Sequence, residues 1–535
     1  MTDGNIYELF EIHFPICKIM RIHNILYIYD GKSGLLAETD ENQLRDIYNY
    51  RIHNNSDIPK YLKTLLSNGC FLSGKLIKIV PNNNETKYLA KNEIQEYFPR
   101  KLCLEITEEC TLRCKYCFYT NENPHKRKHS NVKMDESIAF KAIDYYYDKY
   151  TEALTKVKLE DRYEMIKTVP PHIAWWGGEP FTNFDLIVKT KQYIESLDWG
   201  KYGVAISDIT YNVATNLTIL NDSIIKFLTE NNVNLLISLD GNKAQHNMNR
   251  IYKDGTGSFD VVIHNIQTLI NRHPDYCKKN IILQPVLADN IDTNEALTFI
   301  DNFFDLKRSS QKILSSLPSG QRNEGAFLTQ LDFLYESYDF YINRLRLQLA
   351  KLAQEADLEN ILRLDRRLYR EFAEFFLLEK SLSFDNPHGT NSHCRSYSCP
   401  LAVDTIFIST NGNIHCCSKV DQTFPVGNVL TGIDNDALYK VYRSYFREID
   451  KNCKSCWAFN FCKICPAMVY SNGVPILPSK NECEHIRKRI ELLIMGYIII
   501  VNEFECLYDR LQSIFDSKEH NIKFDSKPTL IKSKL

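Results

Sequence analysis

Apolar and polar residues follow two different spacings in the first part of the chain, before about residue 95. Segments with an apolar residue at every second position predict strands, and segments with a 3.6-residue repeat predict helices. The predicted strands are Lys18–Tyr29 and Phe71–Val80, the predicted helices are Gln43–Tyr50 and Pro59–Leu66, and the predicted turn is Asp30–Gly34. This mixture predicts a small α+β module.

From about residue 100 the chain alternates regularly between strand and helix patterns. The strand candidates are Leu102–Thr107, His172–Trp176, Ile209–Ala214, Asn234–Leu239 and Asn280–Val286. The helix-patterned segments between them include Ser137–Tyr150, Ser223–Asn231 and Phe259–Ile270. This βαβ order predicts a parallel sheet or barrel, in which functional residues lie at the carboxyl ends of the strands.

The second half of the chain changes composition twice. After about residue 295 it is charged and helical in pattern, with an amphipathic stretch at Leu331–Leu362. After about residue 394 it is rich in cysteine and in turn residues. There Thr405–Ser409 and Asn413–Cys416 flank an Asn411-Gly412 pair, which predicts a β-hairpin.

Length and charge exclude several classes of protein. At 535 residues the chain is too long for one hydrophobic core. A net charge of -2 gives no electrostatic basis for binding nucleic acid or an anionic membrane. The apolar run Leu492–Val501 is half the length of a membrane span and predicts a buried helix face. Since Met1–Asn5 lacks the features of an export signal, we expect a cytoplasmic protein with reduced thiols.

The cysteines are concentrated in two groups. Of seventeen, three lie between residues 110 and 117 and nine between residues 394 and 483. In a reducing compartment such grouping favours metal binding over disulfides. The five scattered cysteines fit small core residues.

The first group follows a predicted strand directly, as Cys110-x3-Cys114-x2-Cys117. A four-iron cluster normally takes four cysteines, so three thiolates leave one iron open for a ligand. This spacing, with Tyr116 before the last cysteine, resembles the radical S-adenosylmethionine (SAM) superfamily. The resemblance implies that the open iron binds SAM, whose reductive cleavage gives a 5′-deoxyadenosyl radical that abstracts hydrogen from a substrate. A zinc site is the alternative, although structural zinc prefers a fourth ligand.

The same resemblance implies further contacts to SAM after the next strands. Glu179 is suited to the ammonium group of SAM, and Arg250 is suited to its carboxylate. The implied cofactor contacts are Tyr116, Gly177, Gly178, Glu179, Pro180, Thr215, Asn216, Ser238, Asp240, Arg250 and Gln284. For the polar residues among them, structural roles as caps and turns are the alternative.

The second cysteine group contains Cys453-x2-Cys456-x5-Cys462-x2-Cys465. It resembles the auxiliary-cluster domain called SPASM, which implies two further [4Fe–4S] clusters. The implied ligands are Cys394, Cys399, Cys417 and Cys465 for one cluster and Cys453, Cys456, Cys462 and Cys483 for the other. The last spacing is x2 where the family usually has x3, and Cys416 is an alternative to Cys417. A zinc ribbon built from the paired CxxC units is the other alternative.

Enzymes that this chain resembles mostly modify peptides or protein side chains. The N-terminal module resembles a winged-helix-like, precursor-recognition domain that binds a leader peptide at a sheet edge, although a capping extension without a binding role is an alternative. The resemblance thus implies a peptide maturase that forms a cross-link, most often a thioether from a substrate cysteine. Carbon–carbon cross-linking and epimerisation need the same first step. A reductant such as flavodoxin or ferredoxin is implied as a partner.

Two other functions remain open. Sulfatase-maturing enzymes resemble the chain from 100 to 485, but they carry an aspartate where Ser418 follows Cys417. A non-enzymatic zinc scaffold would bind zinc and no iron.

The predicted fold is therefore α/β. It comprises a recognition module at 1–95, a partial (β/α)6 radical SAM barrel at 96–300, and a helical bridge at 301–390. A SPASM domain follows at 391–490, and a C-terminal helix and tail occupy 491–535.

Overall fold

The structure of the protein is a computed structural model with side chains. The residues it describes are 6–53, 59–67, 70, 99–117, 119, 129–286, 295, 299–300, 303, 312–313, 338–358, 372, 402, 405–418, 422, 424–462, 470–471, 474–475 and 480–518. The predicted strand Phe71–Val80 lies outside these residues, as do Cys394, Cys399 and Cys465.

Over the residues described before position 71, the N-terminal module contains an antiparallel sheet and three helices. In chain order its elements are α1 (Ile6–His13), β1 (Cys17–Ile22), β2 (Ile25–Asp30), β3 (Leu36–Thr39), α2 (Glu41–His53) and α3 (Lys60–Ser67). The prediction of one strand over Lys18–Tyr29 is wrong. A tight turn at His23, whose φ is 53°, folds the segment into the hairpin β1–β2, and Ile22 pairs with Ile25. A two-residue turn does not interrupt the apolar pattern enough to be seen in it.

This sheet is buried on both faces. Ile28 and Ala37 pack with α1 and α2 residues such as Phe10 and Leu44. On the other face, Tyr29 joins a cluster formed by residues from the C-terminal part of the chain. The module is therefore packed against the C-terminal region through its sheet.

The central sheet confirms the predicted parallel α/β fold. Its first elements are β4 (Lys101–Thr107), α4 (Glu136–Thr155), α5 (Arg162–Thr168), β5 (His172–Gly177), α6 (Phe184–Ser196), β6 (Thr210–Thr215) and α7 (Asp222–Glu230). They are followed by β7 (Asn234–Ile237), α8 (Lys243–Asn249), α9 (Phe259–Arg272), α10 (Pro274–Asn280), β8 (Ile281–Leu283) and β9 (Lys312–Ile313). Each strand pairs in parallel with the next, in the order β4-β5-β6-β7-β8-β9.

Alternate residues of these strands face the helices. Leu104, Trp175, Val213 and Leu235 belong to the main core together with α4 and α7 residues such as Tyr146. The intervening residues lie on the opposite face of the sheet, where Cys103 and Ala174 form a separate small cluster. All carboxyl ends meet at one edge, which positions the loops discussed below.

The C-terminal part extends this sheet from its other side. Beyond α11 (Tyr338–Gln354), the elements are β10 (Thr405–Ile408), β11 (Asn413–His415), β12 (Gly427–Asn428), β13 (Gly432–Ile433), α12 (Asn435–Asn452), β14 (Tyr470–Ser471), β15 (Val474–Pro475), α13 (Lys480–Glu503) and α14 (Glu505–Lys518). The predicted hairpin is confirmed, since Ile408 pairs with Ile414 in antiparallel fashion. β10 also pairs in parallel with β4.

Two helix predictions are also confirmed over the residues described. α11 lies within the predicted amphipathic stretch Leu331–Leu362, and Leu345 and Leu349 are buried. The apolar run Leu492–Val501 lies on α13, with Ile494 and Ile499 buried. Among the helices of the described residues, none combines the length and apolarity needed to cross a membrane.

Candidate active site

The first cysteine group lies on the loop that follows β4, and this loop is tied to the segment after α8. Arg113 and Lys115 donate backbone hydrogen bonds to the carbonyl oxygens of Ile251 (2.7 Å) and Asn249 (3.0 Å). The Arg113 guanidinium also donates to the Cys110 carbonyl oxygen at 2.8 Å. The backbone around the three cysteines is thereby fixed between two neighbouring loops.

The sulfur atoms of Cys110 and Cys117 receive hydrogen bonds that suit thiolates. The Leu112 amide donates to Cys110 Sγ (3.4 Å), and the Tyr119 amide donates to Cys117 Sγ (3.5 Å). Asn216 Nδ2 also donates to Cys110 Sγ, at 3.6 Å. Hydrogen bonds to cluster thiolates are a usual feature of iron–sulfur sites. The three cysteines therefore fit the cluster that the motif implies.

Burial disfavours the charged form of these thiols when no metal is bound. It raises the pKa of Cys114 to about 12, against the opposing effect of Arg250. Burial and then the nearby Glu179 carboxylate raise the pKa of Cys110. Metal ligation requires thiolates. The positive charge of the iron would therefore have to stabilise the thiolate form, which burial disfavours.

Within the described ranges, no three His, Cys, Asp or Glu side chains are arranged to hold a single metal ion. Cysteines that bind a four-iron cluster are distributed over its iron atoms.

The Gly177-Gly178 pair brings β5 against the β4 loop. The φ of Gly177 is +146°, and a Cβ there would lie 2.2 Å from the Thr107 carbonyl oxygen. At Gly178 a Cβ would lie 2.3 Å from the Glu109 carbonyl oxygen. Only glycine permits both contacts. Pro180 then begins a short 3₁₀ helix, Pro180–Asn183, which turns the chain away from the sheet.

Glu179 is a buried carboxylate at the carboxyl edge. Its Oε1 accepts hydrogen bonds from Thr215 Oγ1 (2.7 Å) and the Phe181 amide (3.1 Å), and its Oε2 accepts one from the Asn216 amide (2.8 Å). Burial raises the pKa of Glu179 to about 7, although these hydrogen bonds oppose the shift. A cation placed beside Glu179 would favour its charged form. The residue therefore suits an ammonium group.

Thr215 and Asn216 connect Glu179 to the cysteine loop. Asn216 Nδ2 donates to Thr111 Oγ1 at 3.1 Å as well as to Cys110, while its own oxygen accepts from the Thr218 amide at 2.9 Å. The hydroxyl of Thr215 is committed to Glu179. Both residues thus orient the site from within the protein, and direct contact with a cofactor stays a prediction.

Asp240, Arg250 and Tyr116 form a buried unit behind Cys114. Asp240 Oδ2 lies 2.9 Å from Arg250 Nε and accepts a hydrogen bond from the Tyr116 hydroxyl. The Arg250 guanidinium lies over the Tyr116 ring, 5.4 Å from its centroid. The Val286 amide donates to Asp240 Oδ1 at 2.8 Å. The sequence analysis predicts a separate cofactor contact for each of these three side chains. In the structure the three side chains contact one another.

Two predicted residues at the ends of β7 and β8 have uncommitted side chains. Ser238 and Gln284 are half-buried, and their backbone amides donate to the carbonyl oxygens of Thr215 and Ile237. Neither side chain has a hydrogen-bond partner among the described residues. They are therefore available to a ligand at the carboxyl edge.

Two buried residues that support the site, His246 and Glu105, are not among the residues that the sequence analysis predicts. His246 Nε2 lies 2.9 Å from Ser258 Oγ, which donates to the Arg250 carbonyl oxygen, and the Asp240 amide donates to His246 Nδ1 at 3.4 Å. Glu105 also lies buried on β4. The alternation within β4 could have identified Glu105, because it is a charged residue inside a buried strand.

The second cysteine group is described only in part. Cys417 is half-buried, whereas Cys416 is 8% exposed and belongs to the main core. Cys453, Cys456 and Cys462 surround a turn at the end of α12, and Cys483 lies on α13. Since Cys394, Cys399 and Cys465 lie outside the described residues, the two ligand sets stay a prediction.

Comparison with known proteins identifies the family of one domain. Residues 104–293 match the family model of the radical SAM superfamily. Over 308 residues the chain is 24% identical to the radical SAM cyclopropyl synthase TigE of Paramaledivibacter caminithermalis, covering 56% of this chain and 58% of that protein. It covers 57% and 49% of two further relatives, so it spans about half the length of these proteins.

A longer match is to the cysteine-type anaerobic sulfatase-maturating enzyme of Clostridium perfringens strain 13. The chain is 25% identical to it over 373 residues, covering 66% of this chain and 85% of that protein. The solved structure of native anSMEcpe with bound AdoMet has a TM-score of 0.50 at 19% identity and covers 76% of this chain and all of that one. At that identity the likeness concerns the fold. Residues 104–293 therefore form a domain that matches the radical SAM superfamily of enzymes, a family that implies SAM and a [4Fe–4S] cluster as cofactors.

Proposed function

We propose that this protein is a radical SAM maturase that abstracts hydrogen from a ribosomally made peptide and forms a cross-link in it, a thioether from a substrate cysteine being the first candidate. The observation that carries the proposal is the cysteine loop after β4. There, Cys110 and Cys117 accept hydrogen bonds on their sulfur atoms, and Cys110 lies near the buried carboxylate of Glu179.

Each residue of the carboxyl edge has a defined task in this proposal. Cys110, Cys114 and Cys117 would bind three irons of a [4Fe–4S] cluster, and the cluster with SAM supplies the 5′-deoxyadenosyl radical. Glu179 would hold the ammonium group of SAM. Arg250 would attract its carboxylate while Asp240 fixes the guanidinium in place. Ser238, Gln284 and the flanking glycines would complete the contacts.

A peptide substrate is supported by the relatives and by the N-terminal module. The Clostridium perfringens relative is named for maturing sulfatases, and a sulfatase is a polypeptide. The module contributes a sheet to which a leader peptide would add a strand. Among the described residues, β3 pairs with a neighbour on one side only.

Sulfatase maturation is the second candidate function, because the match to the sulfatase-maturating enzyme covers 85% of that protein. Ser418 stands after Cys417, where the resemblance calls for an aspartate. The alternatives of carbon–carbon cross-linking and epimerisation share the first step of the leading proposal. Two auxiliary clusters in the C-terminal cysteine group and a flavodoxin or ferredoxin as reductant also belong to the proposal.

The cluster assignment is tested with Cys114→Ala. The anaerobically reconstituted wild type should release 5′-deoxyadenosine from SAM on reduction, and the variant should release none while keeping iron in other clusters. Cys506→Ala, at an exposed cysteine outside both groups, is the control. Unchanged 5′-deoxyadenosine formation in Cys114→Ala, or bound zinc in place of iron, would overturn the assignment.

The substrate is tested by mass spectrometry with short peptides encoded beside the gene and with a sulfatase peptide that carries a cysteine at the modified position. A cross-linked product is lighter by two hydrogen atoms, an epimerised product has unchanged mass, and formylglycine formation from a cysteine replaces the sulfur by oxygen. The first outcome supports the leading function, and the third supports the second candidate.

A further inference from the structure

We propose that Glu105 is a positioning residue that couples the segment after Cys417 to the catalytic cysteine loop, through Gln422 on one side and Tyr119 on the other. The coupling rests on the proposed function, because its importance depends on a cluster at Cys110, Cys114 and Cys117. The contacts themselves are made by side chains of the protein alone.

Glu105 faces away from the helices of the central sheet. Its neighbours Leu104 and Ile106 pack into the main core between sheet and helices, so alternation places Glu105 on the opposite face. There the side chain is completely buried. A carboxylate in such surroundings needs donors on its oxygen atoms to remain charged, and two of its donors come from distant parts of the chain.

The first donor ties Glu105 to the cysteine loop. The Tyr119 hydroxyl donates to Glu105 Oε1. At its other end, the Tyr119 amide donates to Cys117 Sγ at 3.5 Å, and its ring stacks on His129 with 5.3 Å between centroids. Tyr119 thus contacts both the Glu105 carboxyl group and the sulfur of Cys117, the last cysteine of the triplet.

The second donor comes from the C-terminal part of the chain. Gln422 Nε2 donates to Glu105 Oε2 at 2.7 Å, and Gln422 follows Cys417 by five residues. A parallel connection lies nearby, where Thr410 Oγ1 donates to Glu108 Oε1 at 2.9 Å. The pairing of β10 with β4 keeps Thr410 and Glu108, which follow these two strands, close to each other.

These contacts make the cysteine loop sensitive to the C-terminal segment. A buried carboxyl oxygen that loses its hydrogen-bond donor is costly to leave unpaired. If Gln422 shifts, Glu105 loses this donor, and the side chain that accepts from the Tyr119 hydroxyl becomes free to move. Tyr119 in turn contacts the sulfur of Cys117.

The experiment reverses the amide and the carboxylate. Gln422→Glu places two carboxylates against each other and should release Tyr119. The double variant Glu105→Gln with Gln422→Glu restores one amide facing one carboxylate and keeps an acceptor for the Tyr119 hydroxyl. Asn428→Ala is the matched control, because Asn428 donates to Asn413 Oδ1 (2.9 Å) in the same C-terminal unit without touching Glu105.

The first readout is the rate at which iodoacetamide alkylates Cys117 in metal-free protein, followed by mass spectrometry. We expect Gln422→Glu to raise this rate about tenfold, consistent with the loss of a buried hydrogen bond. The double variant should return it to within about twofold of wild type, and Asn428→Ala should leave it unchanged. The electron paramagnetic resonance spectrum of the reduced, reconstituted catalytic cluster should change in the same order.

The inference is overturned if Gln422→Glu behaves as wild type, or if the double variant is no closer to wild type than Gln422→Glu. Should Gln422→Glu fail to fold, Gln422→Ala replaces it, with a smaller rise in alkylation expected and an unchanged rate contradicting the coupling. Failure of the proposed function has a different signature, since reconstituted wild type would then give no iron–sulfur signal while the alkylation rates remain measurable.

Discussion

Arg250 and Asp240 show how a buried charge is managed at the level of single residues. Their side chains are 6% and 0% exposed, so each depends on the other. We expect Arg250→Met to lower the free energy of unfolding by about 3–5 kcal/mol, because Asp240 would remain buried without its cation.

Chemical unfolding of the metal-free protein measures this loss, and Arg272→Met is the matched control. Arg272 pairs with Asp222 at 2.7 Å, but both side chains are largely exposed. Removing that pair should change stability by about 1 kcal/mol or less. Equal losses in the two variants would contradict the importance assigned to burial.

Glu179 provides a dependence on pH. Its pKa is raised from 4.5 to about 7 by burial, so the folded protein holds its proton more tightly than the unfolded chain does. Its contribution to stability is therefore complete below about pH 4.5 and is lost as pH rises through about 7. A tenfold change in proton affinity corresponds to about 1.4 kcal/mol, so the loss across this window is about 3 kcal/mol.

Glu179→Gln removes the titration, so the stability of wild type relative to this variant should fall between about pH 4.5 and 7. Unfolding of metal-free protein at several pH values measures the difference. Glu109→Gln serves as control, since Glu109 is partly exposed and lies 3.4 Å from Lys133. A difference between wild type and Glu179→Gln that stays constant over the window would disprove the assignment.

At the level of elements, the turn after β2 docks against the second cysteine group. Asn460 Nδ2 donates to the Gly31 carbonyl oxygen at 2.9 Å. A Cβ at Gly31 would lie 2.6 Å from the Trp457 carbonyl oxygen and 2.8 Å from that of Ile16. The Tyr29 ring contacts Phe461 with 5.4 Å between centroids. The N-terminal sheet therefore packs against the turn that carries Cys456 and Cys462.

Gly31→Ala should separate these surfaces, because two backbone oxygens block the added methyl group. We expect a loss of about 1–3 kcal/mol of stability and faster proteolysis within the N-terminal module. Gly200→Ala, where nothing lies within 4 Å of the added atom, should stay within about 0.5 kcal/mol of wild type. Matching behaviour of the two variants would mean that the docking contact has no energetic role.

Elements were predictable where one physical signal dominates. The strands of the central sheet and the helix around Leu492–Val501 have long apolar patterns, and the hairpin at Asn411 has its turn residues. The hairpin at His23 was missed because the apolar pattern continues through its turn. The short strand β9 was missed because two residues carry no pattern.

The sequence predicts several residues of the candidate site, but it does not predict which of them contact one another. The family resemblance carried by the motifs implies roles for Cys110 and Glu179, which both follow strand ends. The pairing of Asp240 with Arg250, or of Glu105 with Gln422, joins residues distant in sequence. Such contacts depend on how the sheet brings its ends together, which a single sequence does not specify.

For the whole molecule, the proposed number of clusters can be tested by finding which of two adjacent cysteines, Cys416 or Cys417, binds iron. Cys416 is buried in the main core, and its carbonyl oxygen accepts a hydrogen bond from the Ala402 amide. Cys417 is half-buried at the end of the hairpin. A core thiol surrounded by apolar side chains is poorly placed to join other ligands, so Cys417 is the better candidate.

Three cubanes with cysteine ligands would give about twelve irons per chain in the reconstituted wild type. Cys417→Ala should lower this count to about eight, since a cluster without one of its four thiolates is poorly retained. Cys416→Ala should keep all of the iron and instead lower stability by about 1 kcal/mol through lost packing. Iron and sulfide analysis with an unfolding measurement separates the two, and a drop in iron for Cys416→Ala alone would reverse the assignment. Retention of iron by both variants would place the auxiliary ligands elsewhere, because the cluster would then depend on neither thiol.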